Sequence, residues 1–139
     1  MYDSILVATD GSEYASDAAT HAFNLAEQYD ATVHALYVIE TRTAYDNAIV
    51  APEEVRENLR EIGKEALDAL QERAEQRGVS LVTAIEEGVP AEQINRYCDE
   101  HDIDYIFIGA RGHSAFKTVL LGSTAETVLA EASVPVTIV

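Results

Sequence analysis

Residues 109–124 read Gly109-Ala110-Arg111-Gly112-His113-Ser114-Ala115-Phe116-Lys117-Thr118-Val119-Leu120-Leu121-Gly122-Ser123-Thr124, a stretch rich in glycine and hydroxyls. Glycines at 109 and 112 let a backbone turn tightly and approach a ligand with no Cβ in the way. Gly122-Ser123-Thr124 stands where a helix is expected to begin. The free N–H groups there and the positive end of the helix dipole favour an anion, above all a phosphate. Arg111 and two hydroxyls add donors. His113 either reaches a phosphate or stands solvated in a loop. Far upstream, Asp10 offers only acceptors when ionised, which suits a ribose hydroxyl or a metal-bound water. Each glycine alone reads as a turn, and Ser123 alone as a helix cap; together at one sheet edge they read as a phosphate site.

These residues need elements to bring them together. Ile5-Leu6-Val7-Ala8 is a short apolar run closed by Thr9-Asp10-Gly11-Ser12, a strand followed by turn chemistry and a helix start. Ala15, Ala18, Ala19, Ala22, Leu25, Ala26 and Tyr29 then fall at helical spacing. Thr32 to Ile39 reads as a second strand. Residues 53–77 read as the longest helix, with Val55, Leu59, Ile62, Ala66, Leu70 and Ala74 on its inner stripe and Gly78 as its stop. Val79 to Ile85 is a third strand, and Gly88-Val89-Pro90 opens a helix that buries Ile94, Tyr97 and Cys98. Tyr105-Ile106-Phe107-Ile108 is continuously apolar, as for a strand covered on both faces. Ser123-Thr124-Ala125-Glu126 matches a capping box for a last helix with Val128, Leu129 and Ala132 inward. Val134 to Val139 is the final strand.

Five strands alternating with four helices predict an α/β fold, an open parallel sheet with helices on both faces and strand order 3-2-1-4-5. In that order strands one and four are neighbours where the chain reverses direction, and open α/β sheets bind ligands in that crevice. Asp10 ends the first strand and Gly109 the fourth. The long stretch from Glu40 to Pro52, where about 2–6 residues would serve, reads equally as a lid or as a surface insertion.

The chain has 139 residues, which suits one domain over 1–139. Its 25 acidic against 9 basic residues give a formal charge of −16, a field that disfavours nucleic acid and anionic membrane as partners. With 47% apolar residues the chain is not a disordered acidic tail. Only Lys64 and Lys117 are lysines, and acid-rich, lysine-poor surfaces resemble those of proteins from salt-loving organisms. Residues 105–124 nevertheless hold Arg111 and Lys117 and no acid. Cys98 is the lone cysteine, so no intrachain disulfide forms. Met1-Tyr2-Asp3-Ser4 lacks a basic n-region, and no apolar run nears the roughly 18 residues that span a bilayer. A soluble, cytoplasmic protein is expected.

A GxxxxGK[ST] phosphate loop is absent, as is a GxGxxG after the first strand. Over essentially its full length the chain resembles a universal stress protein: ILVATDGS, LYVIE, GVP, IFIGARGHS and SVPVTIV. The family's ATP-binding pattern, Gly-x2-Gly-x9-Gly-Ser/Thr, is complete as Gly109, Gly112, Gly122 and Ser123. The resemblance implies a Rossmann-like sheet of the adenine nucleotide alpha hydrolase type that binds ATP or another adenine nucleotide, with or without Mg2+ or Mn2+. It implies Ala8 and Thr9 lining the base, Asp10 at the ribose or adenine side, and Val38 in the adenine pocket. Gly109 and Arg111 would lie along the ribose and α-phosphate, and Gly112, Gly122, Ser123 and Thr124 would hold the phosphates. Relatives commonly form homodimers through the last strand, here residues 134–139, whose exposed edge a twin would cover.

Three uses of such a site compete: a nucleotide-binding stress or regulatory module, a slow ATPase or phosphotransfer enzyme, and a nucleotide-independent dimeric adaptor. A phosphate cradle is not itself a catalyst, and neither His113 nor Asp10 stands in a diagnostic catalytic arrangement. A two-component receiver fails, because Asp10 has no adjacent acid and no lysine follows the fifth strand.

Overall fold

Within the residues that the computed structural model describes, 2–40, 52–111 and 121–139, strand and helix alternate from end to end. The elements are β1 (Ser4–Thr9), α1 (Glu13–Tyr29), β2 (Thr32–Glu40), α2 (Pro52–Arg77), β3 (Ser80–Gly88), α3 (Pro90–Glu100), β4 (Tyr105–Ile108), α4 (Ser123–Glu131) and β5 (Val136–Ile138). The strands form one sheet in the order β3-β2-β1-β4-β5, every pairing parallel, as the alternation predicts. No described helix is long and apolar enough to cross a membrane.

The period of two along each strand divides the core. Ile5 and Val7 of β1 and Val33, Ala35, Tyr37 and Ile39 of β2 face α1 and α2. Leu6 and Leu36 turn to the other face, where α3 and α4 supply Ala91, Ile94, Tyr97, Ala125 and Val128. Helices therefore cover both faces, which is why β1 and β4 read as unbroken apolar runs. The small side chains of Ala18, Ala19 and Ala22 let α1 lie close on the sheet, with Phe23 as its one large buried group.

Several inward assignments shift. Tyr29 is 44% exposed, whereas Phe23 is fully buried. On α2, Ile62 is exposed and Leu67 buried, along with Gly63. At about 100° per residue Ile62 lies about 60° from Leu59 on the side away from Leu70, so it rotates off the sheet. A Cβ on Gly63 would come within 2.7 Å of the Tyr37 ring, so the helix contacts β2 through bare backbone. Leu129 of α4 is likewise 51% exposed. β3 runs three residues beyond the predicted Ile85, to Gly88, and β5 keeps only Val136–Ile138 of the six predicted. Residues 41–51, the core of the lid-or-insertion segment, lie outside the described residues.

Cys98 lies on the buried face of α3 at 7% exposure, and burial pushes its thiol up to about 12. Since the thiolate is the nucleophile, the native protein should resist a disulfide reagent at pH 8 while the urea-unfolded chain reacts at once. Rapid labelling of the native protein would contradict this packing.

Candidate functional site

A cavity of about 520 Å3 opens at the carboxyl ends of β1, β2 and β4. Nine of the predicted site residues line it: Ala8, Thr9, Asp10, Val38, Gly109, Arg111, Gly122, Ser123 and Thr124. Gly112 and His113, and with them Lys117, lie outside the described residues.

The first wall is the end of β1. Thr9 Oγ1 accepts from the Gly11 N–H at 3.1 Å, and Asp10 Oδ1 from the Ser12 N–H at 2.9 Å. Ser12 caps α1, its hydroxyl accepting from the Ala15 N–H at 3.2 Å. These successive side-chain turns hold the Asp10 carboxylate at the cavity mouth. Behind it, burial and then the Asp10 charge raise the pKa of Tyr37.

The opposite wall is stitched by backbone. The Gly122 N–H donates to the Ala110 carbonyl at 2.7 Å, and the Ala110 N–H donates to the Val139 carbonyl at 2.7 Å. The end of β4, the start of α4 and the last residue of β5's segment are thus tied at one point. Gly122, not Ser123, is the N-cap of α4, since the Glu126 N–H donates to the Gly122 carbonyl. The capping box predicted from Ser123 and Glu126 does not form: glycine has no side chain to cap with. The first amides of α4 have no acceptor within their own helix, and Ser123, Thr124 and Ala125 all border the cavity. Among the described residues no side chain caps this start, and an anion there would take that place.

Gly109 is needed by contact. A Cβ there would stand 2.8 Å from Tyr14 Cβ and 3.0 Å from the Tyr14 carbonyl carbon, in the first turn of α1. Gly109→Ala should therefore cost about 1–3 kcal/mol of stability, as overpacking does, read as a lowered urea midpoint. The neighbouring Arg111 guanidinium lies 5.9 Å from the Tyr14 ring centroid.

Sequence reasoning missed the apolar wall and one acid. Leu36, Pro90, Ile94 and Ile108 complete the lining beside Val38, and Glu40 stands at its rim. Leu36 could have been found, because it shares the strand face of Val38 two residues on. Pro90 and Ile94 come from a helix that only the sheet order brings alongside. Glu40 and Asp10 also mean that the acid-free window at 105–124 does not make an acid-free site. Among the described residues no group of three His, Cys, Asp or Glu side chains gathers to hold a metal.

Comparison with known proteins agrees with this architecture. The family model described as universal stress protein family matches residues 1–139. The chain is 38% identical over 140 residues to the universal stress protein MJ0531 of Methanocaldococcus jannaschii, covering 100% of this chain and 82% of that one. The solved structure of MJ0577, a universal stress protein from the same organism, superposes with a TM-score of 0.89 at 29% identity, covering 100% of this chain and 96% of the other. A universal stress protein solved in complex with cAMP shares the fold, with a TM-score of 0.70 at 24% identity over 99% and 96% of the two chains.

Proposed function

This chain belongs to the universal stress protein family, and we propose that it is an adenine-nucleotide-binding regulatory module, with ATP the leading ligand. The observation that carries the reading is the cavity at the β1/β4 switch point, where the start of α4, with no side-chain cap among the described residues, faces an apolar wall. Its volume lies within the roughly 300–1,000 Å3 of ordinary small-molecule sites. An adenine would lie against Val38 and the apolar residues of β2, β4 and α3, near Ala8 and Thr9. Asp10 would accept from ribose hydroxyls. Gly109, Arg111, Gly122 and the amides of Ser123 and Thr124 would take the phosphates, with Gly112 completing the family pattern and His113 following it in the chain. A divalent cation, Mg2+ or Mn2+, would in this reading be carried by the phosphates. The fold relative holding cAMP is in keeping with a nucleotide here; the reading rests on this chain's own donors.

A homodimer through residues 134–139 in the cytoplasm belongs to the same proposal. Among the described residues β5 bonds only β4 and ends the sheet, leaving one row of strand N–H and C=O groups for a twin. Calorimetric titration with ATP, ADP, AMP and cyclic AMP tests the ligand, together with mass spectrometry of nucleotide released from the denatured protein. Saturable binding of any of them supports the reading; no heat with all four and no released nucleotide would sink it.

A further inference from the structure

On the sheet face that carries the cavity, but at its other end, three rings meet. His34 of β2 places Nδ1 2.7 Å from the Tyr97 hydroxyl of α3. Tyr97 stacks on His101 with ring centroids 3.8 Å apart and planes 15° from parallel. His34 and His101 are 5.7 Å apart, centroid to centroid. His101 is the C-cap of α3, and its Nδ1 lies 3.1 Å from the Tyr97 carbonyl oxygen. Tyr97 is 4% exposed and His34 half-buried.

The cluster and the cavity share two elements, β2 and α3. His34, Leu36 and Val38 alternate along one face of β2, and the last two line the cavity. On α3, Tyr97 follows Ile94 by three residues on the buried face, and Ile94 with Pro90 lines the cavity. The hydrogen bond between His34 and Tyr97 is thus the distal tie of the wall that would receive the base. We propose that this cluster is a proton switch on the nucleotide cleft: protonation of His34 loosens α3 from β2 and weakens nucleotide binding. The proposal rests on the nucleotide reading given above.

The surroundings of His34 supply the driving force. Its register partners are Leu6 on β1 and Val82 on β3, both apolar. From α3 it faces Tyr97, with Cys98 beside that ring, and beyond the helix His101. Glu86 of β3 acts on Tyr97, raising its pKa behind the larger effect of burial, so the phenol stays protonated. Burial first and His101 second hold His34 below the ordinary histidine value of 6.5. Neutral His34 can accept the Tyr97 proton at Nδ1. Once protonated it only donates, so the tyrosine hydroxyl must turn, and an imidazolium then sits half-buried opposite a second histidine. The sign follows: a histidine with a depressed folded value contributes its full stability above about 6.5, and loses it as pH falls from there toward that lower value.

ATP affinity measured by calorimetry from pH 7.5 to 5.5 at fixed salt tests the switch in wild type and His34→Gln. Glutamine retains a hydrogen-bonding group and does not titrate. Wild-type affinity should fall at least about fivefold more than that of the variant, a coupling at the low end of those between sites. Protonation of ATP itself is common to both proteins and cancels. Equal losses in the two would overturn the proposal. His101→Gln should move the wild-type transition to higher pH, because it removes the charge that opposes protonation of His34; an unmoved transition counts against the switch. If neither protein binds ATP at any pH, the cleft reading fails, and hydrogen-exchange protection of amides 94–98 decides the switch separately. Protection should drop on acidification in wild type and hold in His34→Gln. Unchanged wild-type protection would overturn it.

Discussion

Gly122→Val is expected to abolish measurable ATP binding, a loss of more than about a hundredfold, while the protein stays folded. The backbone there sits at φ −64° and ψ 151°, an extended conformation open to any residue. No backbone strain opposes the substitution. A Cβ would stand 3.2 Å from the Ala110 carbonyl oxygen, tight enough to push that oxygen by a few tenths of an ångström. Losing glycine at an N-cap for a branched apolar residue costs about 1 kcal/mol, a small part of the roughly 5–15 kcal/mol that holds a domain together. The γ-methyls add bulk where Gly122, Ser123 and Thr124 border the cavity, the place proposed for the phosphates. Gly122→Ala should fall between the two proteins. Calorimetry reads the binding loss and a urea titration the stability. Binding within tenfold of wild type would move the phosphates away from the start of α4.

The contrast with Gly109 shows what could be read in the residues before the fold was known. Both glycines belong to one spaced pattern, and the pattern alone assigned both to ligand approach. In the structure both glycines line the cavity, but a Cβ on Gly109 would press on Tyr14 of α1 at 2.8 Å, so its small size is first a demand of packing, while one on Gly122 would meet its nearest neighbour, the Ala110 carbonyl oxygen, only at 3.2 Å. A motif records spacing and does not say which neighbour excludes the side chain. The sheet order was legible because short apolar runs alternated with helical stripes and crossover handedness left few layouts. The same reasoning placed Asp10 and Gly109 at adjacent strand ends. It failed where geometry accumulates over distance. Along the 26 residues of α2 the inner stripe drifts, turning Ile62 out and Leu67 in. Glu40, Pro90 and Ile94 reach the cavity only through the pairing of β2 with its neighbours. The cap of α4 moved by one residue, because a glycine preceding a capping-box pattern can take the cap itself.

Lowering salt from about 1 M to about 10 mM should lower the melting temperature by on the order of 10 °C and weaken ATP binding as well. Two like charges about 10 Å apart in water repel by about 0.4 kcal/mol. The screening length of about 3 Å at 1 M removes nearly all of that, and about 30 Å at 10 mM leaves most of it. A formal charge of −16 implies on the order of ten such excess pairs, hence a few kcal/mol. The helix α2 concentrates the effect: exposed Glu53, Glu57, Glu61 and Glu65 follow one another at i,i+4, where like charges oppose the helix. Its arginines reach elsewhere, Arg56 and Arg60 to Glu87 of β3, Arg77 to Glu27 of α1, and Arg73 to Ser16 and Thr20. In the cavity Asp10 and Glu40 would face a polyanion with Arg111 as the described cation, so screening should help binding too. A basic phosphate site would behave in the opposite way. A melting temperature that is flat or rises toward low salt would defeat the halophile-like reading of the composition. Replacing Glu57, Glu61 and Glu65 together by glutamine should recover part of the low-salt loss while leaving the molar-salt melting temperature nearly unchanged. Recovery confined to low salt would identify repulsion along α2, rather than altered packing, as the cause.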